Sequence, residues 1–334
     1  MLNFKSTIFG AIGKVILSMN NGNKNVDSLV KIKVIGVGGG GNNAVIRMIN
    51  DNVPNIETYL LNTETSILRK TKIKNILQIG KETTKGLGAG ANEIVGEKAA
   101  IESRDEIKKI LQNTDMLFLT AGMGGGTGTG AIPVIAEVAK KMNILTVGIV
   151  TKPFLFEGKK RANRANAGIE KLRENVNALI VVLNDNLLKV VGDKTPIGEA
   201  FEIADSILKQ GIQSITDLIT TVGEINIDFA DIKTIFGYKG KAYMGIGKAR
   251  EGDTLEDAVR QAIENPLTEN KIDNAKGVIF NVRGGENLGL SEINSAIQII
   301  NDKVDPDANI IFGTVIDERM KNETIVTVIA TGIN

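Results

Sequence analysis

One short stretch of the sequence, AGMGGGTGTG at residues 121–130, consists mostly of glycine and threonine. Glycine has no Cβ, so its backbone adopts left-handed dihedral angles freely and can bring several N–H groups close to one anion. The hydroxyls of Thr127 and Thr129 add two donors. The stretch therefore predicts a phosphate-binding loop, with a flexible glycine linker as the alternative.

The segments on either side of this loop predict how it is held. An apolar run at 116–119 precedes it and another at 131–136 follows it, which is the pattern of a buried strand leading into a helix. A helix that begins there points its positive N-terminal end at the same anion. Because linkers lack such apolar flanks, the flanking runs favour the phosphate loop.

A second glycine-rich turn, GVGGGG at 36–41, follows a predicted strand and precedes a predicted helix. Gly36, Gly38 and Gly41, at its first, third and sixth positions, have the spacing of the dinucleotide-binding pattern G-x-G-x-x-G. Glu64, after the predicted strand 58–61, lies close to the position of a ribose-binding acid in nicotinamide enzymes. An NAD-dependent Rossmann enzyme is therefore one alternative.

A third such turn, GLGAGAN at 86–92, leads into a helix predicted over 94–111. The alternation of strands and helices through 178–183 indicates a mostly parallel sheet, whose ligands bind beyond the carboxyl ends of the strands. Three phosphate loops at that edge favour a nucleoside triphosphate over NAD. The chain has no G-x-x-x-x-G-K-[ST] motif, so backbone amides must replace a P-loop lysine.

Four charged residues outside the glycine loops could act on such a ligand. Glu157 is an acceptor suited to ribose hydroxyls and Arg161 is a donor suited to phosphate, with an exposed ion pair as the alternative. Asp228 and Asp231 lie three residues apart at the start of a predicted helix, so their carboxylates share one face. Helix capping is the alternative role for these aspartates.

The composition excludes several kinds of chemistry. The chain has no cysteine and no histidine, which excludes disulfides, Cys/His zinc sites, cysteine nucleophiles and triads that need imidazole. The formal net charge of +1 gives no general attraction to nucleic acid, so we expect no nucleic-acid partner. No apolar run approaches the roughly 20 residues that span a bilayer.

The length of 334 residues predicts two main domains. We divide the chain into an N-terminal arm at 1–26, a nucleotide-binding domain at 27–195, a central linking helix at 196–222 and an α+β domain at 223–334. The helix predicted at 197–220 is apolar on more than one face, so we expect it to be buried between the domains. The predicted elements of the α+β domain are strands at 242–249, 277–283, 309–316 and 324–330 and helices at 255–263 and 291–302.

The N-terminal arm is basic, with no acid before Asp27. Its apolar residues fall at helical spacing, namely Phe4, Ile8, Ile12, Val15 and Met19. Three interpretations stay open: a loosely packed arm, an interfacial helix that makes weak membrane contact, or an organelle-targeting leader.

Seven motifs in order resemble those of the FtsZ family, the tubulin-like cell-division GTPases of bacteria. They are GVGGGGNNAV, GLGAGAN, GGGTGTG, VTKPFLFEGKKR, the Asn184-Asp185 turn, INIDFAD and the closing FGTVI…VTVIATG. The resemblance implies an α/β, tubulin/FtsZ-like fold, in which a Rossmann-like parallel-sheet GTPase domain is joined by a long central helix to a smaller α+β domain.

The resemblance also assigns roles to the candidate residues. Asn184, Phe201 and Asp205 would surround the guanine, while Glu157 and Arg161 would bind ribose and phosphate. The glycine loops would surround the phosphates through Gly38, Gly39, Gly40, Asn42, Gly88, Ala89, Gly90, Gly124, Gly125, Gly126, Thr127, Gly128 and Thr129.

A further implication of the resemblance is that hydrolysis depends on assembly. Asp228 and Asp231, with Asn226 beside them, would enter the nucleotide site of the next subunit and polarise the attacking water. The ligands would be GTP or GDP with Mg²⁺, whose protein ligands are not assigned. The partners would be the protein itself, in a head-to-tail homopolymer, together with cell-division regulators and membrane tethers, in the cytoplasm at the division site.

Three features depart from the family pattern. The family's NTD-x-Q turn reads NTETS at 62–66, and Glu93-Ile94 replaces the usual Pro-Glu. Both lie near the expected γ-phosphate, so a GTP-binding filament protein with little hydrolysis is the second hypothesis. The sequence given ends at Asn334, before the position where the family's linker and docking peptide follow. If the protein itself has no such tail, the N-terminal arm would be a direct tether to an anionic membrane.

Overall fold

We describe the protein from a computed structural model. The described residues are 30–51, 53–69, 71, 73–187, 195–220, 227–285, 289–317, 320 and 323–333. The N-terminal arm at 1–26 and the predicted catalytic residue Asn226 lie outside the described residues.

Six strands form the first sheet, in which every pair of neighbours runs parallel. They are β1 (Ile32–Val37), β2 (Ile56–Asn62), β3 (Ile76–Gln78), β4 (Met116–Gly122), β5 (Leu145–Lys152) and β6 (Ala178–Leu183). Their order across the sheet is β3-β2-β1-β4-β5-β6. The strand order therefore reverses between β1 and β4, and α/β sheets of this kind bind ligands at that switch point.

Helices cover both faces of this sheet. They are α1 (Gly38–Asn50), α2 (Thr65–Arg69), α3 (Lys81–Thr84), α4 (Glu93–Glu102), α5 (Arg104–Ile110), α6 (Thr127–Lys141), α7 (Lys159–Arg173) and α8 (Asn184–Leu187), with a 3₁₀ turn at Leu155–Glu157. Strands β1 and β4 are apolar and buried along nearly their whole length. Successive residues of each strand enter two separate apolar cores, one on each face, as expected of a covered parallel sheet.

A long helix leads from this layer to a second, smaller sheet. The further elements are α9 (Ile197–Thr220), α10 (Phe229–Gly237), β7 (Lys241–Ala249), α11 (Leu255–Ile263), β8 (Gly277–Gly284), α12 (Leu290–Asn301), β9 (Asn309–Ile316) and β10 (Thr324–Ile333). The strand order is β7-β10-β8-β9, with β10 antiparallel to both neighbours and β8 parallel to β9. The sheet is therefore mixed.

Helix α9 lies between the two sheets. A Cβ on Gly211 would lie 2.5 Å from the Met244 sulfur of β7 and 3.4 Å from Ile149 Cδ1 of β5, so the helix contacts side chains of both sheets. Buried residues of α9 and of one face of each sheet form one continuous apolar core. The predicted fold class is confirmed: a parallel-sheet domain, a long central helix and a smaller α+β domain.

Several elements differ from the sequence prediction, among them the short helices α2, α3 and α8, which it did not include. The helix predicted over 94–111 is two helices that are divided at Ser103, where φ is −95° and ψ is 19°. The Ser103 hydroxyl accepts a hydrogen bond from the Gly80 N–H at 2.9 Å. Strand β3 was not predicted, since three residues are too few for an alternating pattern. Helix α1 begins at Gly38, inside the turn that was predicted to be a loop.

Candidate nucleotide-binding site

Three glycine-rich loops meet beyond the carboxyl ends of the strands. A Cβ on Gly38 would lie 2.8 Å from the Gly128 nitrogen, and a Cβ on Gly126 would lie 2.8 Å from the Ala89 Cβ. The backbone of the loop at 121–130 therefore contacts directly the loop at 36–41, which comes first in the chain and is called the first loop from here on, and the loop at 86–92. The contact lies at the switch point between β1 and β4.

Other glycines of the same loops face open space. Nothing lies within 4 Å of a Cβ built on Gly39, Gly90 or Gly125. Helices α1 and α6 begin beside these positions, at Gly38 and Thr127. Backbone N–H groups and two helix N-termini thus lie beside open space that suits anionic groups, and we call this region the phosphate cradle.

A buried amide network fixes the start of α1. Asn42 Nδ2 donates to the Gly36 carbonyl at 2.7 Å and to the Leu61 carbonyl at 3.3 Å, and Asn42 Oδ1 accepts from Asn62 Nδ2 at 2.8 Å. Both asparagines are buried. The polar atoms of Asn42 are therefore engaged by the protein, and they position the first loop from behind the cradle.

Hydroxyls within the cradle fix its backbone in the same way. Thr129 Oγ1 accepts a hydrogen bond from the Gly124 N–H at 2.7 Å, and Thr127 Oγ1 lies 2.6 Å from Thr63 Oγ1. Gly124 has a φ of 97°, which favours glycine. The two threonines predicted to bind phosphate therefore also order the loop that carries the amide donors.

Glu157 and Arg161 form one wall of the cradle. Arg161 Nε lies 3.1 Å from Glu157 Oε2, and Glu157 Oε1 accepts from the Phe154 N–H at 2.9 Å. A Cβ on Gly124 would lie 2.6 Å from Arg161 Cγ, so Arg161 packs directly against the loop. The ion pair considered from the sequence is present, and it brings both side chains to the cradle.

Aromatic and amide side chains lie together beyond this wall. The rings of Phe201 and Phe154 meet edge to face with centroids 5.2 Å apart. Asp185, next to Asn184 in α8, accepts from the Leu155 N–H at 2.8 Å, which ties α8 to the same turn. Asn184 is 4% exposed, and its Oδ1 has no hydrogen-bond partner within the described part of the chain. Because an unpaired buried acceptor is costly, this oxygen suits a ligand donor.

Asp205 lies one turn after Phe201 on α9 and meets Arg47 of α1. Arg47 Nε lies 3.4 Å from Asp205 Oδ2, and Arg47 Nη2 lies 3.4 Å from Glu202 Oε1. Burial raises the pKa of Asp205 to about 6, and the nearby Arg47 guanidinium opposes that rise. A carboxyl whose pKa is shifted by burial and that has a specific charge partner is a candidate for a functional site.

The paired aspartates lie at the far end of α9. A Cβ on Gly313 would contact Leu218, near the end of α9, at 2.7 Å and Ile227 at 2.9 Å, which places Asp228 beside that end. Along the helix, Leu218 is about 25 Å from Phe201 at the helical rise per residue. The two carboxylates are therefore remote from the cradle of their own chain.

The two aspartates have different surroundings. Asp228 caps α10, since its Oδ1 accepts from the Ala230 N–H at 3.3 Å, as the capping alternative predicted. Asp231 lies in the first turn of α10 and is exposed. Its carboxylate is therefore accessible to another molecule.

The described residues contain neither a cluster of metal ligands nor a membrane-spanning helix. No group of three or more Asp or Glu side chains among them gathers into a metal site. None of the described helices is both long enough and apolar enough to cross a membrane.

The fold and the cradle define an α/β protein with a candidate phosphate site formed by backbone loops. The family model described as Tubulin/FtsZ family, GTPase domain, matches residues 31–192. A second model, FtsZ family, C-terminal domain, matches residues 240–334.

Solved structures agree with these matches. The empty FtsZ dimer of M. jannaschii is 39% identical, with 96% of this chain and 92% of that chain covered and a TM-score of 0.87. The GTPγS-bound CetZ2 protofilament of Haloferax volcanii is 17% identical, covers 91% of this chain and 94% of that chain with a TM-score of 0.78, and shows the fold alone. The chain belongs to the FtsZ family. The predictions of this family, and of a GTPase of its cell-division filament type, are confirmed.

Proposed function

We propose that the protein is a GTP-hydrolysing filament subunit whose active sites are each formed by two chains. The phosphate cradle of one chain would bind GTP, and Asp228 and Asp231 of the next chain would act on it. The observation that carries this proposal is the placement of these two features at opposite ends of α9. Head-to-tail stacking joins such ends, and this type of contact propagates as a filament.

The two glutamates near the cradle already have partners within the chain, which supports a role for a carboxylate from another chain. Glu64 Oε1 accepts from Ser66 Oγ at 2.5 Å, and Glu157 is held by Arg161 and the Phe154 N–H. General-base assistance contributes about 10²- to 10⁴-fold in rate, so a chain without its neighbour would bind GTP but turn it over slowly. Of the two aspartates, Asp231 is the better candidate for orienting the attacking water, because Asp228 already caps α10.

Guanine would bind at the base end of the cradle. Phe201 offers a ring face or edge, the unpaired Asn184 Oδ1 offers a buried acceptor, and Asp205 offers a carboxylate. Glu157 and Arg161 lie between this group and the glycine loops, where ribose and the first phosphate would lie.

Mg²⁺ would be held mainly by the nucleotide. Mg²⁺ sites of this kind use one or two carboxylates together with phosphate oxygens and water. Glu64 fits such a role, since its Oε2 lies 3.6 Å from a Cβ built on Gly88 in the loop at 86–92. When bound, the ion neutralises phosphate charge that develops during transfer.

Self-association is supported by the M. jannaschii relative, which is a dimer. We extend this to a head-to-tail filament in the cytoplasm at the division site, with division regulators and membrane tethers as partners. These assignments rest on family membership.

An aspartate variant tests the proposal. Asp231→Ala should bind GTP and scatter light on assembly as the wild type does, while phosphate release falls by about 10²-fold or more, because general-base assistance is lost. Asp273→Ala, which removes another exposed aspartate of the same domain, is the matched control and should behave as wild type. Light scattering with GTP and then with GDP is read beside phosphate release.

The possible outcomes separate the hypotheses. Normal phosphate release by Asp231→Ala would contradict the two-chain site. If the wild-type protein assembles with GTP but releases no phosphate, the second hypothesis is correct and the chain is a GTP-binding filament protein with little hydrolysis.

A further inference from the structure

The contact between Arg47 and Asp205 joins two helices at the base end of the cradle. Arg47 lies in the third turn of α1, and Asp205 lies on α9, 158 residues later. We propose that Arg47 is a positioning residue for base selection, which holds the Asp205 carboxylate in the orientation that accepts the N–H donors of guanine. This inference rests on the proposed binding of guanine by Asp205.

The burial of Asp205 favours a positioning role for Arg47 over a solvent-exposed ion pair. The Asp205 side chain is 13% exposed and that of Arg47 is 37% exposed, so the guanidinium covers a mostly buried carboxylate. Its Nε donates to Oδ2 at 3.4 Å, and an ionised carboxylate has further acceptor sites on its two oxygens for ligand donors. Because α1 also carries the first glycine loop, one helix aligns the phosphate end and the base end of the site.

The charge state of Asp205 determines which hydrogen-bonding groups of a base it can match. An ionised carboxylate only accepts hydrogen bonds, whereas a neutral carboxyl also donates one. Guanine presents an N1–H and a 2-amino group, hypoxanthine lacks the amino group, and adenine presents a bare N1 acceptor. Only the ionised form therefore matches guanine at both of its donors.

Several charges surround Asp205. On the elements packed around it they are Arg47 and Asp51 of α1, Glu202 and Lys209 of α9, and Asp185 of α8. Lys209 Nζ lies 2.5 Å from Asp51 Oδ2, so those two neutralise each other. Burial raises the pKa of Asp205 to about 6, Arg47 lowers it and Glu202 raises it. Arg47 is thus the group that keeps Asp205 ionised at neutral pH.

The test is equilibrium binding of GTP and ITP to the full chain between pH 5.5 and 8.5. In the wild type, GTP affinity should rise with pH through about 6 and level off above it. In Arg47→Met the pH midpoint of GTP binding should move up by about 1 to 3 units, because the positive charge beside Asp205 is lost. At pH 7 this weakens GTP binding about tenfold for a midpoint near 8, and raising the pH restores it.

Companion variants make the result specific. Arg47→Lys keeps the positive charge, so the pH midpoint of GTP binding should return most of the way to the wild-type value. The lysine ammonium lacks the planar fork of the guanidinium, so the preference for GTP over ITP should be restored less completely. Glu202→Gln, the matched control, should move the midpoint slightly down. The control Glu202→Gln should also release phosphate at the wild-type rate at saturating GTP, since Glu202 has no proposed contact with the nucleotide.

Two different failures can be told apart. If Asp205→Asn keeps the wild-type preference for GTP over ITP, the proposed guanine contact is wrong and the role of Arg47 falls with it. If Asp205→Asn loses that preference while Arg47→Met keeps the wild-type midpoint and preference, only the role of Arg47 is overturned.

Discussion

Gly125 and Gly41 both belong to the glycine-rich loops, but a side chain would meet different surroundings at each. A Cβ on Gly125 would have open space around it, whereas one on Gly41 would overlap the Thr120 carbonyl oxygen. Gly41 is therefore needed for packing of α1 against β4. Gly125 is available for the approach of a ligand.

This difference gives a prediction at a single residue. Gly125→Ala should leave the free energy of unfolding within about 0.5 kcal/mol of wild type, because the methyl group meets no protein atom. It should weaken GTP binding about tenfold or more, because the methyl group keeps phosphate away from the backbone amides. Thermal unfolding and GTP titration measure the two effects.

Gly237→Ala is the matched control, since Gly237 also faces open space but lies in α10, away from the cradle. It should leave GTP binding unchanged. Wild-type affinity in Gly125→Ala would mean that this part of the loop does not approach the phosphates.

Some functional residues could be predicted from the sequence because their type and local spacing alone indicate a role. Clustered glycines signal a phosphate loop wherever they are placed between a strand and a helix. The roles of Arg47 and Arg164 could not be predicted, because their partners are distant in sequence: Arg47 meets Asp205 158 positions later, and Arg164 Nε donates to the Gly124 carbonyl 40 positions earlier. No local pattern marks such pairs.

At the scale of elements, the start of α1 depends on side chains behind it. Asn42 and Asn62 connect the first loop to the end of β2 through buried hydrogen bonds. The NTETS turn that departs from the family pattern begins at Asn62, so this network also links that turn to the cradle.

Asn42→Ala should therefore destabilise the fold and loosen the first loop. We expect a loss of about 1 to 3 kcal/mol in the free energy of unfolding, because buried carbonyl and amide groups lose their partners. GTP binding should weaken as well. Asn50→Ala, at the exposed end of the same helix, is the control and should change stability by less than about 0.5 kcal/mol.

Chemical denaturation of both variants measures these differences. Equal stability of Asn42→Ala and wild type would show that the amide network does not hold α1 in place.

Periodicity in the sequence predicted the long elements well and the short ones poorly. Helices α9 and α11 and strand β9 begin and end at the predicted residues. The division between α4 and α5 was missed because no glycine or proline marks it in the sequence next to Ser103. Ser103 contacts Gly80 across the fold, which no local pattern reveals. Strand β3 is an edge strand paired only with β2, and three residues carry too little pattern to be recognised.

At the scale of the whole molecule, α9 determines how the two halves of the proposed site are separated. Its first turns carry Phe201 and Asp205 at the cradle, and its last turn packs beside Ile227 and the paired aspartates. Sequence spacing predicted the helix and both of its flanking domains. It could not give the distance between the two ends, and the role of the aspartates in a neighbouring chain came from the resemblance alone.

The concentration dependence of GTP hydrolysis tests the two-chain site most directly. Phosphate release per molecule of wild-type protein is measured over a dilution series at saturating GTP, with light scattering recorded on the same samples. We predict that activity per molecule is low below a threshold concentration and rises together with scattering above it, because each cradle needs the Asp228 and Asp231 of a neighbour. Activity per molecule that stays constant on dilution would contradict the account.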